Sequence, residues 1–382
     1  MTEDNAYIDI LNDSIAGYFR DAVLITLKQP RTALFFLRTV WRQKKAAHTR
    51  GKWQSNGVHV PALLIISVTN KCNLRCKGCY AYAHEKRRSK GDELDDGRLR
   101  SLVAEAQELG VAAILFAGGE PLMRKELLDI TRDFPSMIFP IVTNGTLIDE
   151  RVIAQFKQQK NVLPVVSIEG DERDTDGRRG RGMFGRIRDV MEQMRTNGIF
   201  FGCSLTITRS NFETITDPEF IRSLTQSGSK LLLFLEYVSV EEGTEEWVPT
   251  EEQRASLRTK MEEFKAHFPA LVIAIPGDEE QYGGCLAAGR GFAHISAEGN
   301  LEPCPVSPYS DANVLQSSLA TALQSKLLRE IRRQSGALSE TAGGCALWAE
   351  REWIRSLVPS KGDIIPLQSL SIPKERSECI GR

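Results

Sequence analysis

The stretch Thr69-Asn70-Lys71-Cys72-Asn73-Leu74-Arg75-Cys76-Lys77-Gly78-Cys79-Tyr80 places three cysteines within eight residues, directly after the apolar segment Leu63–Val68. A short apolar run of this kind predicts a buried β-strand. Three thiolates in the loop that follows can wrap one compact, soft metal centre. If that centre is a four-iron cubane, one iron has no protein ligand and stays open to a small molecule.

The chain around this stretch alternates apolar segments with amphipathic ones. Strands are predicted at Leu63–Val68, Ala112–Ala117, Ile138–Thr143, Leu163–Ile168, Phe200–Ile207 and Leu231–Val238. Helices are predicted at Asp95–Leu109, Lys125–Phe134, Asp149–Gln159, Met183–Asn197, Asp217–Ser227 and Glu251–His267. This alternation is typical of a parallel sheet with helical crossovers. Six such units are too few for a closed eightfold barrel, so we expect an α/β fold with a partial, open barrel.

Polar residues follow the predicted strands. Ala117-Gly118-Gly119-Glu120-Pro121 follows the second strand, and Thr143-Asn144-Gly145 ends the third. The later strands end near Ser167, Glu169, Arg209 and Glu236. Ligands of parallel sheets and barrels bind at the carboxyl ends of strands, so these residues and the cysteine loop are candidates for one site.

Together these features resemble the radical S-adenosylmethionine (radical SAM) superfamily, whose signature is C-x3-C-x2-C after the first strand. The resemblance implies a (β/α)6 partial barrel and an enzyme. It implies a [4Fe–4S] cluster on Cys72, Cys76 and Cys79, with S-adenosylmethionine bound at the open iron. It also implies reductive cleavage of that cofactor to a 5′-deoxyadenosyl radical that abstracts hydrogen from a substrate. The superfamily usually has an aromatic residue before the last cysteine, where this chain has Gly78.

The resemblance also implies which residues contact S-adenosylmethionine. They are Gly118, Gly119, Glu120, Thr143, Asn144, Ser167, Glu169, Arg209 and Glu236. Thr143 and Asn144 suit turn capping equally well, and Glu236 suits a buried packing role. The charged stretch Asp171–Gly185 is interpreted as a loop, either solvated or in contact with an anionic substrate.

A second group of cysteines lies nearer the C-terminus. Cys285 and Cys304 flank a predicted hairpin turning at Gly299, and Cys345 follows. This arrangement resembles the SPASM/Twitch auxiliary module, which implies a second [4Fe–4S] cluster with Cys379 as a further ligand. A zinc site or plain buried thiols are the alternatives. Cys203, inside a predicted strand, is assigned to the core.

Composition limits the other possibilities. The 382 residues carry a formal net charge of −1, which gives no general bias toward nucleic acid. The acidic N-terminus does not match a signal peptide, and no uninterrupted apolar run is long enough to span a bilayer. We therefore expect a cytoplasmic protein.

Residues 14–52 stand apart in charge, with nine bases and one acid. They predict helices broken near Pro30, packed on the main domain with a solvated basic face. The alternative is a peripheral membrane contact, because basic residues beside Leu, Phe and Trp suit an anionic lipid surface.

The predicted organisation has four regions: a basic helical region at 1–58, the barrel at 59–267, the auxiliary module at 268–350 and a tail at 351–382. The resemblance implies a peptide or protein substrate and an electron donor such as flavodoxin or ferredoxin. The basic region leaves a lipid substrate as an alternative. An alternative of another class is a non-catalytic, zinc-stabilised binding protein.

Overall fold

The structure is a computed structural model, which describes residues 6–85, 92–275, 282–334, 338 and 344–358. Its strands are β1 (Leu63–Thr69), β2 (Ala113–Gly118), β3 (Phe139–Thr143), β4 (Val162–Ile168), β5 (Gly202–Ile207), β6 (Leu231–Glu236), β7 (Leu271–Ile275), β8 (Phe292–Ile295) and β9 (Leu301–Glu302). They form one sheet in the order β7-β6-β5-β4-β3-β2-β1-β8-β9.

The helices before β5 are α1 (Ala6–Ile25), α2 (Pro30–Ser55), α3 (Tyr80–Glu85), α4 (Asp96–Leu109), α5 (Leu127–Asp133), α6 (Glu150–Gln158), α7 (Glu172–Arg179) and α8 (Met183–Thr196). Those after it are α9 (Phe212–Ile215), α10 (Pro218–Gln226), α11 (Glu251–His267), α12 (Leu319–Ala322), α13 (Lys326–Arg333), α14 (Ala346–Ala349) and α15 (Arg351–Ser356). Among the described residues, none of these helices is long and apolar enough to cross a membrane.

Strands β1 to β7 are parallel, each paired with the next along the chain. The sheet curls into a partial barrel, which confirms the predicted α/β fold. Parallel pairing continues past the six predicted units, because β7 adds to β6 and β8 adds to the other side of β1.

The two faces of β1 differ, as its alternating side chains require. Leu64, Ile66 and Val68 lie in the main hydrophobic core. Ser67, on the opposite face, forms a hydrogen bond with His294 of β8. The apolar face therefore packs on the surrounding helices, and the other face can carry polar groups.

The first two helices pack across the amino ends of the strands. Phe36 of α2 contacts Phe200, just before β5, with ring centroids 4.9 Å apart. Gln43 Nε2 donates to the Ala112 carbonyl, one residue before β2, at 3.1 Å. The carboxyl ends of the parallel strands, where the cysteine loop begins, lie at the opposite end of the barrel.

The interpretation of Asp171–Gly185 as a loop is wrong for its first part. Glu172–Arg179 forms helix α7, and the Asp171 side chain caps it by accepting a hydrogen bond from the Asp174 amide. No apolar stripe marks this helix, so no periodic pattern predicted it. Its stabilisation comes from the cap and from contacts of its arginines.

The predicted C-terminal hairpin is present. β8 and β9 pair antiparallel, and Gly299 in the turn between them has φ +84°. Only a residue without a side chain adopts this conformation readily. The hairpin is continuous with the main sheet through β8, and Cys304 lies two residues beyond β9.

Candidate iron–sulfur and S-adenosylmethionine site

The loop after β1 carries Cys72, Cys76 and Cys79, all partly exposed. The three thiols lie close to one another. Burial raises the pKa of Cys72 and of Cys76, and the cations of Arg179 and Arg178 oppose this effect at Cys76. A metal centre displaces the thiol protons on binding, so these positive neighbours suit the negative charge of bound thiolates.

The glycine turn after β2 packs directly on the backbone of the cysteine loop. The Gly119 amide donates to the Thr69 carbonyl at 2.7 Å, and the Glu120 amide donates to the Lys71 carbonyl at 2.8 Å. A Cβ on Gly119 would lie 2.1 Å from the Lys71 carbonyl oxygen. No other residue fits at this position without moving the loop that carries the cysteines.

Glu120 is buried and ties this turn to the end of β3. Its Oε1 accepts hydrogen bonds from Thr143 Oγ1 at 2.7 Å and from the Leu122 amide at 3.1 Å. Its Oε2 accepts from the Asn144 amide at 2.8 Å. Burial raises the pKa of Glu120 although these donors favour its charged form. Glu120 and Thr143, predicted to contact the cofactor, thus have structural partners in the chain.

Asn144 joins β3 to the cysteine loop. Its Nδ2 donates to Asn73 Oδ1 at 2.9 Å and lies 4.0 Å from Cys72 Sγ. Asn73 Nδ2 in turn donates to Thr146 Oγ1 at 2.7 Å. The structure therefore brings together the cysteine loop, the glycine turn and the Thr143-Asn144 turn, as their positions after neighbouring strands predict.

Glu169, directly after β4, is buried between two arginines of α7. Its Oε1 lies 2.7 Å from Arg178 Nη1 and 2.5 Å from Arg179 Nη2. Burial opposes ionisation, but the two guanidinium groups outweigh it and hold the pKa of Glu169 below its usual value. The other oxygen, Oε2, is buried and accepts no hydrogen bond within the described part of the chain. A ligand hydroxyl or amine would satisfy that oxygen.

Helix α7 is also hydrogen-bonded to the cysteine loop. The Lys77 amide donates to the Arg178 carbonyl at 3.0 Å, and Arg178 Nε donates to the Lys77 carbonyl at 3.2 Å. Arg178 and Arg179 therefore belong to the site, and neither lies in a solvated loop. The sequence showed their charge, but their pairing with Glu169 is a long-range contact that no local pattern predicts.

The other residues predicted to contact the cofactor lie in different surroundings. Ser167 is buried on β4, 3.4 Å from Ser204 Oγ of β5. Arg209 is exposed, and its Nε donates to the Val248 carbonyl at 3.1 Å. Glu236, the last residue of β6, forms a 2.6 Å ion pair with Arg254. Whether these residues contact a cofactor stays a prediction.

Two aromatic residues that the sequence analysis missed lie over the cysteine loop. A Cβ on Gly78 would lie 2.6 Å from Tyr237 Oη and 2.8 Å from Trp247 Cζ3. The two rings contact each other, with centroids 5.5 Å apart. They follow β6 and occupy the space beside the residue that precedes Cys79. The one sequence signal was Gly78 itself, which stands where the superfamily usually has an aromatic residue. The rings of Tyr237 and Trp247 fill the space that such a residue would take.

The second group of cysteines lies in and around the C-terminal hairpin. Cys285 is buried in the main core, and Cys304 and Cys345 pack against that core while partly exposed. The Ala288 amide donates to the Pro303 carbonyl at 3.0 Å and joins the segments of Cys285 and Cys304. Cys379 lies outside the described residues. Within the described residues, no three His, Cys, Asp or Glu side chains converge on a single metal ion. The auxiliary cluster stays a prediction.

Comparison with protein families matches residues 66–224 to the Radical SAM superfamily. Residues 66–224 form a radical SAM domain. This domain contains the three-cysteine loop and all of β2 to β5. Members of the superfamily and named relatives are enzymes, which confirms the prediction that the chain is an enzyme.

Several named proteins are similar to this chain over segments longer than residues 66–224. Fe-coproporphyrin III synthase of Methanosarcina barkeri is 30% identical over 224 residues, which are 56% of this chain and 55% of that protein. An AdoMet-dependent heme synthase of Oleidesulfovibrio alaskensis is 27% identical over 64% of this chain and 70% of its own length. The subtilosin biosynthesis protein AlbA of Bacillus subtilis is 24% identical over 75% of this chain and 65% of its own length.

The fold has counterparts among solved structures. Streptococcus suis SuiB, bound to the precursor peptide SuiA, superposes with a TM-score of 0.61 at 18% identity. The alignment covers 81% of this chain and 77% of SuiB. At this identity the likeness establishes the shared fold of the radical SAM domain and its surroundings.

The residues of the site fit the cofactors that the superfamily implies. Three cysteine thiols follow β1, two arginines offset negative charge beside Cys76, and a buried carboxylate oxygen of Glu169 has no partner among the described residues. The glycine turn leaves backbone, without side chains, against the loop. Thiolates are the preferred ligands of iron–sulfur clusters.

Proposed function

We propose that this chain reductively cleaves S-adenosylmethionine and abstracts hydrogen from a peptide or protein substrate, as in crosslinking or oxidation. The single observation that carries the proposal is the three-cysteine loop held by the Gly118-Gly119 turn at the carboxyl ends of the strands. A [4Fe–4S] cluster and S-adenosylmethionine, when bound, supply a 5′-deoxyadenosyl radical at this site.

Each part of the chain has a role in this proposal. Cys72, Cys76 and Cys79 hold the cluster, while the side-chain amide nitrogen Nδ2 of Asn144, 4.0 Å from Cys72 Sγ, orients the first ligand. Glu169 Oε2 accepts a hydrogen bond from a cofactor hydroxyl, since it is buried and its partner oxygen is already paired. Gly118, Gly119 and the ends of β3, β4 and β6 surround the cofactor.

The peptide or protein substrate is supported by two of the comparisons. SuiB shares the fold and was solved with a precursor peptide, and AlbA is named for bacteriocin biosynthesis. A second candidate is a tetrapyrrole, because the relatives at 30% and 27% identity are named Fe-coproporphyrin III synthase and heme synthase. A lipid substrate has less support, because the basic helices pack at the amino ends of the strands, away from the cysteine loop.

The proposal extends to the C-terminal part of the chain. Residues 268–350 act as a Twitch-type module in which Cys285, Cys304 and Cys345 hold a second [4Fe–4S] cluster, with Cys379 as a further ligand. A flavodoxin or ferredoxin supplies electrons. The boundaries of the four regions and the cytoplasmic location stay predictions.

Iron content tests both cluster sites. The protein is purified without oxygen and reconstituted, and iron and sulfide are measured in the wild type and in a Cys72→Ala, Cys76→Ala, Cys79→Ala variant. Two clusters predict about eight irons per chain in the wild type and about four in the variant. About four irons in the wild type and almost none in the variant would rule out the auxiliary cluster. Zinc in place of iron in both would rule out the radical chemistry.

Formation of 5′-deoxyadenosine separates the candidate substrates. The reconstituted enzyme is given S-adenosylmethionine and a chemical reductant, with either a peptide extract of its source cells or Fe-coproporphyrin III. We expect the peptide extract to raise the yield of 5′-deoxyadenosine several-fold above the substrate-free rate. If only the porphyrin does so, the tetrapyrrole is the substrate class.

A further inference from the structure

Helices α1 and α2 form a hairpin whose outer surface is unusually apolar. Eight large hydrophobic side chains are exposed in the described part of the chain, and six lie on this hairpin. The six are Ile10, Leu24, Leu27, Leu34, Leu37 and Trp41. Trp41 is 72% exposed and Leu24 is 65% exposed. Single exposed apolar residues are ordinary, but a concentration of this kind marks an interaction surface.

Helix α2 buries mostly polar side chains and exposes a stripe of apolar ones, unlike an ordinary surface helix. Its inward face buries Thr32, Phe36, Thr39, Gln43 and Arg50. Its outward face carries Leu34, Leu37 and Trp41, spaced by three and four residues and so aligned in one stripe. Arg50 is satisfied by the Gly110 carbonyl at 2.5 Å, so its burial is part of the fold. The helix thus has a second apolar stripe that the barrel does not cover.

The same surface is strongly basic. Residues 14–52 contain nine bases and one acid, and of the bases only Arg50 is buried. The positive charge continues onto the barrel, because Lys160 lies near Arg31 and Lys157, and Lys230 lies near Lys28. Lys44 Nζ lies over the Trp41 ring, 5.9 Å from its centroid. Leu and Trp side chains flanked by Lys and Arg match the interface of an anionic bilayer, where rings and aliphatic groups enter and cations remain at the headgroups.

We propose that the outer face of the α1–α2 hairpin, formed by Leu24, Leu27, Leu34, Leu37, Trp41 and the surrounding Lys and Arg side chains, docks on the surface of an anionic lipid bilayer. A second copy of this chain would bring two basic surfaces together, which opposes self-association through this face. The lipid here is an anchor and not a substrate. Because the hairpin covers the amino ends of the strands, docking leaves the cysteine loop facing away from the bilayer.

Removing the hairpin is not a usable test. Ala22 and Phe36 form a buried cluster with Ile138, Leu163 and Phe200 of the barrel, so truncation would expose core residues. Substitutions confined to the outer face avoid this problem. The variants are Leu34→Ser with Trp41→Ser for the apolar stripe, and Arg38→Glu with Lys45→Glu for the charge. Leu315→Ser and Lys125→Glu are matched controls, since both residues are exposed and lie outside the hairpin.

The full-length holoprotein is sedimented with vesicles of phosphatidylcholine alone or with about one quarter phosphatidylserine. We expect binding to the anionic vesicles only, weakened at least tenfold by raising salt from 0.1 M to about 0.5 M. Both hairpin variants should lose most of the binding, whereas both controls keep it. Brominated phosphatidylcholine mixed into the anionic vesicles should quench tryptophan fluorescence in the wild type.

Besides an absence of quenching, two results would overturn the proposal. One is equal sedimentation with neutral and anionic vesicles, or none with either. The other is a wild-type dimer in light scattering that becomes a monomer on substitution of Trp41, which would make a second copy the occupant. Quenching by brominated lipid needs no variant, so its absence also contradicts the proposal even if a substituted chain folds poorly.

Discussion

Residue 78 is a glycine because two aromatic rings fill the space beside it. Tyr237 Oη and Trp247 Cζ3 lie closer to a Cβ built on Gly78 than real atoms approach. Tyr237 is fixed by a 2.9 Å hydrogen bond from its hydroxyl to Thr244 Oγ1. An aromatic cover over the cysteine loop thus comes from the segment after β6, and the loop itself does not supply it.

We expect Trp247→Ala to leave the cluster assembled but to speed its loss in air several-fold, because the substitution opens the loop to water and oxygen. The measurement is the decay of absorbance near 400 nm after exposure to air. Trp41→Ala is the matched control, since Trp41 lies on the hairpin and is exposed. Equal decay rates in all three proteins would show that Trp247 does not shield the cluster.

We expect Gly119→Ala to lower the iron held by the first cysteine group by at least half, because its Cβ would press on the Lys71 carbonyl. Gly185→Ala is the matched control. A Cβ on Gly185, in helix α8, meets nothing within 4 Å, so that substitution should be neutral or stabilise by up to about 1 kcal/mol. Iron content and thermal unfolding separate the two. Normal iron content in Gly119→Ala would mean that the loop can shift at little cost.

At the scale of elements, a series of hydrogen bonds between buried polar side chains joins β1, β8 and β9. His294 Nε2 lies 2.8 Å from Ser67 Oγ, and His294 Nδ1 lies 2.7 Å from Glu302 Oε2. All three side chains are buried. The C-terminal hairpin is therefore attached to β1 by side chains as well as by the ladder of backbone hydrogen bonds.

Substituting His294, in the middle of this set of hydrogen bonds, should lower the free energy of unfolding more than substituting Ser67 at its end. His294→Ala removes two buried hydrogen bonds, one to Ser67 and one to Glu302, so we expect the free energy of unfolding to fall by about 2–5 kcal/mol. Ser67→Ala removes one hydrogen bond and should cost about 1 kcal/mol. Urea unfolding of both variants is the measurement. A larger loss for Ser67→Ala would contradict this order.

The alternation of strands and helices could be predicted from the sequence, because burial of one face makes the apolar residues of each element recur at a regular spacing. Helix α11 was predicted at the bounds it has, Glu251–His267, and β4 differs by one residue. The turns after β1, β2 and β3 were also placed together correctly, since parallel strands share one carboxyl edge.

Contacts between distant polar residues could not be predicted. Helix α7 has no apolar stripe, and the partial burial of Arg178 and Arg179 is explained by Glu169, which they enclose. The sequence raised a membrane contact for residues 14–52, but it could not show which residues form the outer face of α2. Leu34, Leu37 and Phe36 are all apolar, and only the packing shows that Phe36 faces the barrel while the leucines face outward.

At the scale of the whole molecule, His59 lies where four parts of the chain meet. Its Nδ1 is 2.8 Å from Gln54 Oε1, and Tyr7, Gly289, Arg290 and Arg332 also lie beside it. Burial, aided by Arg332 and Arg290, lowers the pKa of His59 to about 4. The histidine is therefore neutral in the folded chain at pH values where an unfolded chain begins to protonate it.

The sign of the pH effect follows from this shift. The unfolded histidine, with a pKa of about 6.5, takes up a proton first, so stability is complete above that pH and falls as the pH drops toward 4. Between pH 7 and pH 5 we expect a loss of about 1–2 kcal/mol in the wild type that is absent in His59→Gln. Urea unfolding at both pH values is the measurement. The same pH dependence in both proteins would assign the effect to other groups.

The position of β1 inside the sheet has a consequence for synthesis on the ribosome. Each of the strands β2 to β7 can pair with the strand made just before it. The other edge of β1 stays unpaired until β8 has been made, because Leu63 pairs with Phe292. Until then a nascent chain presents an open strand edge beside its first three cysteines, and open edges recruit wrong partners. Chains stalled after Ile275 should be cleaved near β1 by protease more readily than chains stalled after the whole hairpin has emerged. The edge of β1 is protected from mispairing only when the sheet is completed, late in translation.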